Sequence, residues 1–269
     1  MNVSYSNAAV ASDRIGSTEP IDKAPAQENS SGVSAGSIEP IEMKVTETAT
    51  ERAAAFRLVH QNYLRAGLTP DNAMQMRVMK HHLVDTTDVM IAKQNRDVVY
   101  TVTLVRDGLL GMPAESLFTE EIAAMRKEGL HLAEVSCVAG EYGDDNKKQG
   151  FEVLVRAIGL TIQVARRRGV DRLILAVHPR HAKVYRRLFG CEIITDVKQY
   201  EAVQGNPAVL CTHDFKQLDQ RRYPLYDQVY GTHYRPWQLD GVRMSEAEKT
   251  YFQQAIGSSA DAFLSMSAA

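Results

Sequence analysis

Cysteine is scarce in this chain: Cys137, Cys191 and Cys211 are the only three among 269 residues. Their number is odd and no pair has C-x-x-C spacing, which speaks against a disulfide framework or a thiolate zinc site, so no metal is expected. Long apolar runs are missing as well. None approaches the roughly 18 to 20 residues that cross a bilayer, so no membrane span is expected. The N-terminus has no apolar stretch behind a basic start, so a secretory signal is not expected and the cytoplasm is the simplest compartment. Nor is there an excess of one charge. Lys and Arg number 31 against 33 Asp and Glu, a formal net charge of -2, which excludes a bulk nucleic-acid binder. With 17 Gly, 9 Pro, 44% apolar and 24% charged residues, collagen-like, coiled-coil and wholly disordered readings fall away.

What remains is a globular protein with a polar start. Residues 1–40 are rich in Ser, Ala, Gly and Glu, with Tyr5 as their one aromatic. Such a stretch buries too little apolar surface to offset the entropy of ordering it, and a disordered tail is expected. Residues 41–215 then form one domain, and 216–269 a helical C-terminal extension. The segment 41–47 alternates like a strand. Thr48-x-x-Glu51 has capping-box form, and Ala53, Phe56, Val59 and Tyr63 follow at helical spacing. A Met-rich piece, 71–80, is expected to be helical. Strands are expected at 88–93, 97–105, 130–139, 171–177, 191–195 and 199–211, with a turn at Gly205-Asn206-Pro207. Helices are expected at 115–128, 151–168, 181–188 and 246–256. The order predicts a mixed α/β sheet whose strands are joined by hairpins and helical crossovers.

Several residues in this frame carry chemistry, each beside a plainer reading. Glu134 lies mid-strand in LAEVSCVA. Alternation puts Leu132, Glu134, Ser136 and Val138 on one face and Ala133, Val135 and Cys137 on the other. A carboxylate there is either a structural ion-pair partner or, facing a cleft, a base of raised pKa. Tyr185 follows the apolar strand DRLILAV, either as a core tyrosine or as a proton donor. His178 closes that strand as an end-of-strand hydrogen-bonding group, as half of a metal pair with His181, or as a base for Cys137. Lys147 and Lys148 precede Gly150 and the longest helix, whose free N–H groups can hold a phosphate. Arg156, Arg166, Arg167, Arg168, Arg180, Lys183, Arg186 and Arg187 form a basic cluster, either solvated helix faces or a docking patch for an acidic partner.

The blocks EVSCVA (134–139), LILAVHPRHAKVYRRLFGCEII (173–194) and QYEAVQGNPAVL (199–210) resemble the long-chain N-acyl amino acid synthases, among them the N-acyl tyrosine synthases. HPRHAKVYRRLFG (178–190) is similar to that group's HPxHxxFYxxxxGF pattern. FRLVHQNYLRAGL (56–68) and VRDGLLGMPAESLF (105–118) resemble two further segments of the group. The resemblance runs from about 45 to 211. It implies an acetyltransferase-like (GNAT) fold, a mixed central sheet with two splayed strands flanked by helices, related to the acyl-homoserine lactone synthases.

It implies a long-chain acyl donor, the acyl-phosphopantetheine of an acyl carrier protein, and an amino acid acceptor whose amine attacks the thioester directly. No tightly bound cofactor is implied. Glu134 becomes the candidate base and Tyr185 the candidate acid, with Arg57, Ser136 and His178 binding substrate. Arg57 would pair with the acceptor's carboxylate. Lys147, Lys148, Arg156, Arg180, Arg186 and Arg187 would dock the carrier protein. Two departures stand out. Lys147-Lys148-Gln149-Gly150-Phe151-Glu152 ends on an acid where CoA-using relatives have a small residue, which favours a carrier protein over CoA. Cys137 stands where the synthases usually carry Arg after Glu-x-Ser. The alternatives are an acyl-homoserine lactone synthase and a non-catalytic module that binds acyl carriers or lipids.

Overall fold

The structure, a computed structural model, describes residues 40–142 and 147–256. The expected tail, apart from Pro40, and the end of the extension lie outside the described residues. Strand β1 (Glu42–Val45) leads into helix α1 (Ala49–Arg65). The helix starts where the sequence signals it: Thr48 Oγ1 accepts the Glu51 N–H, and the Glu51 carboxylate accepts the Thr48 N–H in return. Strands β2 (Thr87–Gln94) and β3 (Asp97–Arg106) form a hairpin. A 3-10 turn (Pro113–Ser116) and helix α2 (Thr119–Lys127) carry the chain to β4 (Leu132–Gly140). Helix α3 (Lys147–Arg167), strand β5 (Arg172–Val177) and helix α4 (Pro179–Phe189) follow. Short strands β6 (Glu192–Ile193) and β7 (Lys198–Tyr200) precede β8 (Asn206–Asp214).

The strands form one sheet in the order β1-β2-β3-β4-β5-β8-β6, with β7 also on β8. Neighbours are antiparallel except β4 and β5, which run parallel across the α3 crossover. Alternation along each strand sends side chains to two layers. Met90, Leu104, Leu173 and Cys211 pack beneath α3 and α4. Val89 and Ile91 pack on the opposite face with Phe56 of α1, and Ile174 and Leu210 with Phe118 and Ile122 beside α2.

The expected helix at 71–80 does not form. Those residues are an irregular connection ending in a 3-10 turn, Lys80–Leu83. Its apolar side chains Met76 and Val78 are buried one at a time under α1, without a continuous helical stripe. The expected turn at Gly205-Asn206-Pro207 sits slightly earlier. A 3-10 turn over Glu201–Val203 and left-handed Gln204 and Gly205 reverse the chain, and Asn206 and Pro207 already belong to β8.

The extension supplies short helices α5 (Phe215–Gln220), α6 (Tyr226–Tyr230), α7 (Pro236–Asp240) and α8 (Glu246–Gln253). It clasps both faces of the β1 end. On one side α6 lies so close to α3 that a Cβ on Gly159 would sit 2.7 Å from the Val229 carbonyl oxygen. On the other, Phe252 meets Phe56 edge to face at 5.1 Å, and Arg52 pairs with Glu248 at 2.6 Å. Both rings are fully buried, each contributing roughly 2 to 3 kcal/mol of transfer free energy. Among the described residues no helix is long and apolar enough to cross a membrane.

Candidate active site

Strands β4 and β5 pair only at Leu132, Ala133 and Glu134, against Arg172, Leu173 and Ile174. Beyond Glu134 the ladder stops, although β4 continues to Gly140 and β5 to Val177. The two strands part, and the carboxylate stands where they do. On its other edge β4 is bulged: Thr103 faces Ser136 but Thr101 faces Ala139, so Cys137 and Val138 together oppose Val102. Cys137 has φ 50, a conformation that costs a non-glycine residue about 1 to 3 kcal/mol and concentrates at working sites.

The bulge overturns the simple alternation expected of β4. Glu134 and Cys137 do not lie on opposite faces. The extra residue reverses the parity, so Cys137 and Ala139 pack with α1 on the face to which Leu132 and Glu134 also point, while Val138 turns to the α3 side. Ser136 Oγ lies 3.8 Å from the Cys137 sulfur.

Glu134 is 3% exposed and has no basic partner among the described residues. Its Oε2 accepts the Ala114 N–H at 2.7 Å. Burial pushes its pKa up to about 8; that N–H opposes the rise and the charge of Glu115 adds to it. Such a carboxyl is mostly protonated at neutral pH and is a far stronger base than an exposed glutamate once ionised.

The surrounding side chains come from distant segments. Tyr200 is buried and donates its O–H to the Pro113 carbonyl at 3.0 Å, beside the Ala114 that holds Glu134. Arg77 donates from Nη2 to the Ala202 carbonyl and from Nη1 to Thr69 Oγ1, both at 3.1 Å, and its guanidinium lies 4.9 Å from the Tyr63 ring centre. His82 accepts the Met79 N–H at Nδ1 (2.9 Å), so Nε2 carries the proton and faces Thr103 Oγ1 at 3.3 Å. Burial, then the charge of Arg77, presses His82 down to about 3, and it is neutral. The Cys137 thiol is raised first by burial and also by Glu134, while Arg77 and Ser136 work against the rise. The phenols of Tyr63 and Tyr200 are raised, first by burial.

Of the residues expected from sequence, Glu134 and Ser136 stand at the splay. Tyr185 is buried in the α4 layer 5.9 Å from the Phe189 ring, with its phenol raised by burial and by the thiols of Cys191 and Cys211. It approaches from the opposite side of the sheet. His178 is the N-cap of α4, accepting the Arg180 N–H at 3.1 Å, with its ring 6.0 Å from that of His181. Arg57 is exposed on the outer side of α1, because the turns that bury Phe56 and Val59 send it the other way.

Lys147 and Lys148 are exposed at the start of α3, and Arg180, Arg186 and Arg187 along α4. Arg156 is half-buried and donates to the Ile41 carbonyl at 2.9 Å, which ties α3 to the start of β1. Arg166, Arg167 and Arg168 pair with Asp219, Asp240 and Asp88. Arg77, His82 and Ala114 were not expected from sequence. Arg77 sat inside the segment read as a helix. Tyr63 and Tyr200 fell within the resembling blocks without a role.

A cavity of about 330 Å³ lies elsewhere, between β2, β3 and the extension. Its charges are largely satisfied by one another: Arg52 with Glu248, Arg168 with Asp88, Arg243 with Asp85. The perturbed carboxyl and the strand opening coincide at Glu134 instead, three residues from the bulge.

A mixed sheet parted at β4 and β5 beside a bulge, flanked by helices on both faces, is a GNAT-like fold, and the family to which the chain belongs makes the protein an acyltransferase. A model of the family "N-acyl amino acid synthase FeeM" matches residues 54–214, and the chain belongs to this family. The solved structure of FeeM, an N-acyl amino acid synthase from uncultured soil microbes, is 21% identical with a TM-score of 0.60, covering 71% of this chain and 98% of that one. The CoA-dependent acyl-homoserine lactone synthase BjaI, solved with SAM and isopentyl-CoA, is 14% identical with a TM-score of 0.52, covering 79% and 100%. The acyl-homoserine lactone synthase LasI is 12% identical with a TM-score of 0.50, covering 73% and 98%. At such identities these structures attest the fold alone. No curated protein matches the chain by sequence.

Proposed function

We propose that this N-acyltransferase moves a long-chain acyl group from the phosphopantetheine thioester of an acyl carrier protein to the amine of an amino acid, by direct attack. The observation that carries the reading is the end of the β4–β5 ladder at a buried carboxyl with a pKa of about 8. In this mechanism the thioester enters the gap between the strands. The amine nitrogen attacks the thioester carbon, and the carbonyl oxygen, now anionic, is held by backbone N–H groups near the bulge. Glu134 in its ionised form takes the proton that the amine loses. The C–S bond breaks, and Tyr185, kept protonated by burial, gives its proton to the departing thiolate and regains one from solvent. Ser136 orients the incoming amine. His178, at the start of α4, binds substrate beside Ser136. No tightly bound cofactor enters the scheme.

The preference for a carrier protein rests on the α3 entrance, where Lys147 and Lys148 are exposed but Glu152 is exposed as well and repels a pyrophosphate. Together with Arg180, Arg186 and Arg187 on α4, the two lysines form the docking surface for an acidic carrier. The test mixes purified protein, carrier protein charged with a C16 acyl group, and a pool of amino acids. N-acyl amino acids detected by mass spectrometry, with free carrier thiol formed in equal amount, are the expected result. Tight carrier binding without any acylated amine over hours would refute it.

A further inference from the structure

Position 137 is where a guanidinium is expected after Glu-x-Ser, and it is a buried cysteine. A guanidinium nevertheless reaches the same place from another element. Arg77 leaves the irregular connection after α1, where its own N–H is fixed on the Phe56 carbonyl at 3.0 Å. Its side chain crosses the Tyr63 ring and ends on Ala202, just beyond Tyr200. Tyr200 in turn is bonded to Pro113, and Ala114 to Glu134. These contacts run from the guanidinium toward the carboxyl, and Cys137 interacts with both.

Two features show that Arg77 is not simply a strut. Its Nε is buried and has no hydrogen-bond partner, a costly state for a charged group. Nor does it have a carboxylate partner among the described residues: the groups it meets are a carbonyl, a hydroxyl, the Cys137 thiol and an aromatic face. The neighbouring acid, Glu134, is largely uncharged at neutral pH. A half-buried cation with an unused N–H, beside a base for amines, lacks an anion that the protein does not supply.

We propose that Arg77 is the specificity-determining residue of the acceptor site, binding the carboxylate of the incoming amino acid through its Nε side while the amine lies toward Glu134. The small Cys137 side chain interacts with both groups. The guanidinium at this site is supplied by the loop after α1, and the recognised class is an α-amino acid rather than a simple amine. This inference rests on the N-acyl transfer proposed above.

The test compares two acceptors that share a side chain: the amino acid acylated best in the pool assay and the decarboxylated amine derived from it. Wild-type protein, Arg77→Gln and Arg77→Lys are assayed with C16-acyl carrier protein, after thermal melts by circular dichroism establish which are folded. A charge-assisted hydrogen bond to a carboxylate corresponds to about a 10- to 100-fold change in affinity. The expected result is a rise of that size in KM for the amino acid in Arg77→Gln, little change for the decarboxylated amine, and an intermediate value for Arg77→Lys. Parallel losses on both acceptors, or an unchanged preference, would make Arg77 a structural strut and overturn the inference. A wild-type enzyme that takes the decarboxylated amine as readily as the amino acid would also overturn it while leaving N-acyl transfer standing. A wild-type enzyme that acylates no amine would bring down the transfer reading itself, and this inference with it.

Discussion

Replacing Glu134 by Gln separates the two consequences of burying a carboxyl at the splay. The side chain keeps its size, and an amide oxygen can still accept the Ala114 N–H. In the folded protein the carboxyl titrates at about 8, against an ordinary value of 4.5. Between those values the folded state holds a proton that the unfolded chain releases. Stability from this group is therefore full below pH 4.5 and declines as pH rises through 8. At 1.36 kcal/mol per pH unit, an interval of about 3.5 units corresponds to a cost on the order of 5 kcal/mol above pH 8. Glu134→Gln removes that cost. Urea denaturation at pH 5, 7 and 9 should give similar stabilities for the two proteins at pH 5 and a variant more stable by several kcal/mol at pH 9. Activity should move the other way. The wild-type kcat/KM should climb about tenfold per pH unit until about 8 and then level off, whereas the variant should lose that rise and at least a hundredfold in rate. Stability curves that stay parallel from pH 5 to 9 would refute the buried, proton-holding carboxyl. A stabilised variant with wild-type turnover would leave the burial intact and remove Glu134 as the base.

Tyr185→Phe should lower kcat about tenfold or more while the fold persists, since the phenol loses only its oxygen; unchanged single-turnover rates of thiol release would exclude it as the acid. Exchanging both Arg186 and Arg187 for Glu should weaken carrier-protein binding at low salt, and the difference should shrink as salt is raised; equal affinities at low salt would remove α4 from the docking surface. Gly159→Ala should destabilise the protein by about 1 to 3 kcal/mol, because the new methyl meets the Val229 carbonyl across the α3–α6 contact, and an unchanged melting temperature would mean that α6 moves aside without cost.

Where the physics is local, the sequence was decisive. Thr48 and Glu51 cap α1 as their spacing requires, Gly190 ends α4 in the left-handed conformation, and the strands of the central sheet follow their alternating or apolar runs. Glu134 was conspicuous because a carboxyl inside an apolar strand needs a reason. The resembling blocks gave the fold and the family, and the comparisons agree with them.

The site was less legible, because parity and proximity are decided by contacts remote in sequence. One extra residue at Cys137 turns the rest of β4 over, and alternation has no means of announcing a bulge held by the register against β3. Arg57 and Arg77 were equivalent as letters; helical rotation exposes the first, while the path of a connection read as a helix carries the second to Tyr63 and Ala202. The run Arg166 to Arg168 reads in sequence as part of a basic cluster, either solvated helix faces or a docking patch, but the extension folds back and neutralises part of it with Asp219 and Asp240. Composition, caps and periodicity thus determined which elements form and in what order. Only the tertiary structure decided which side chains meet, since that depends on where strands part, where one bulges and which distant carbonyls a cation reaches.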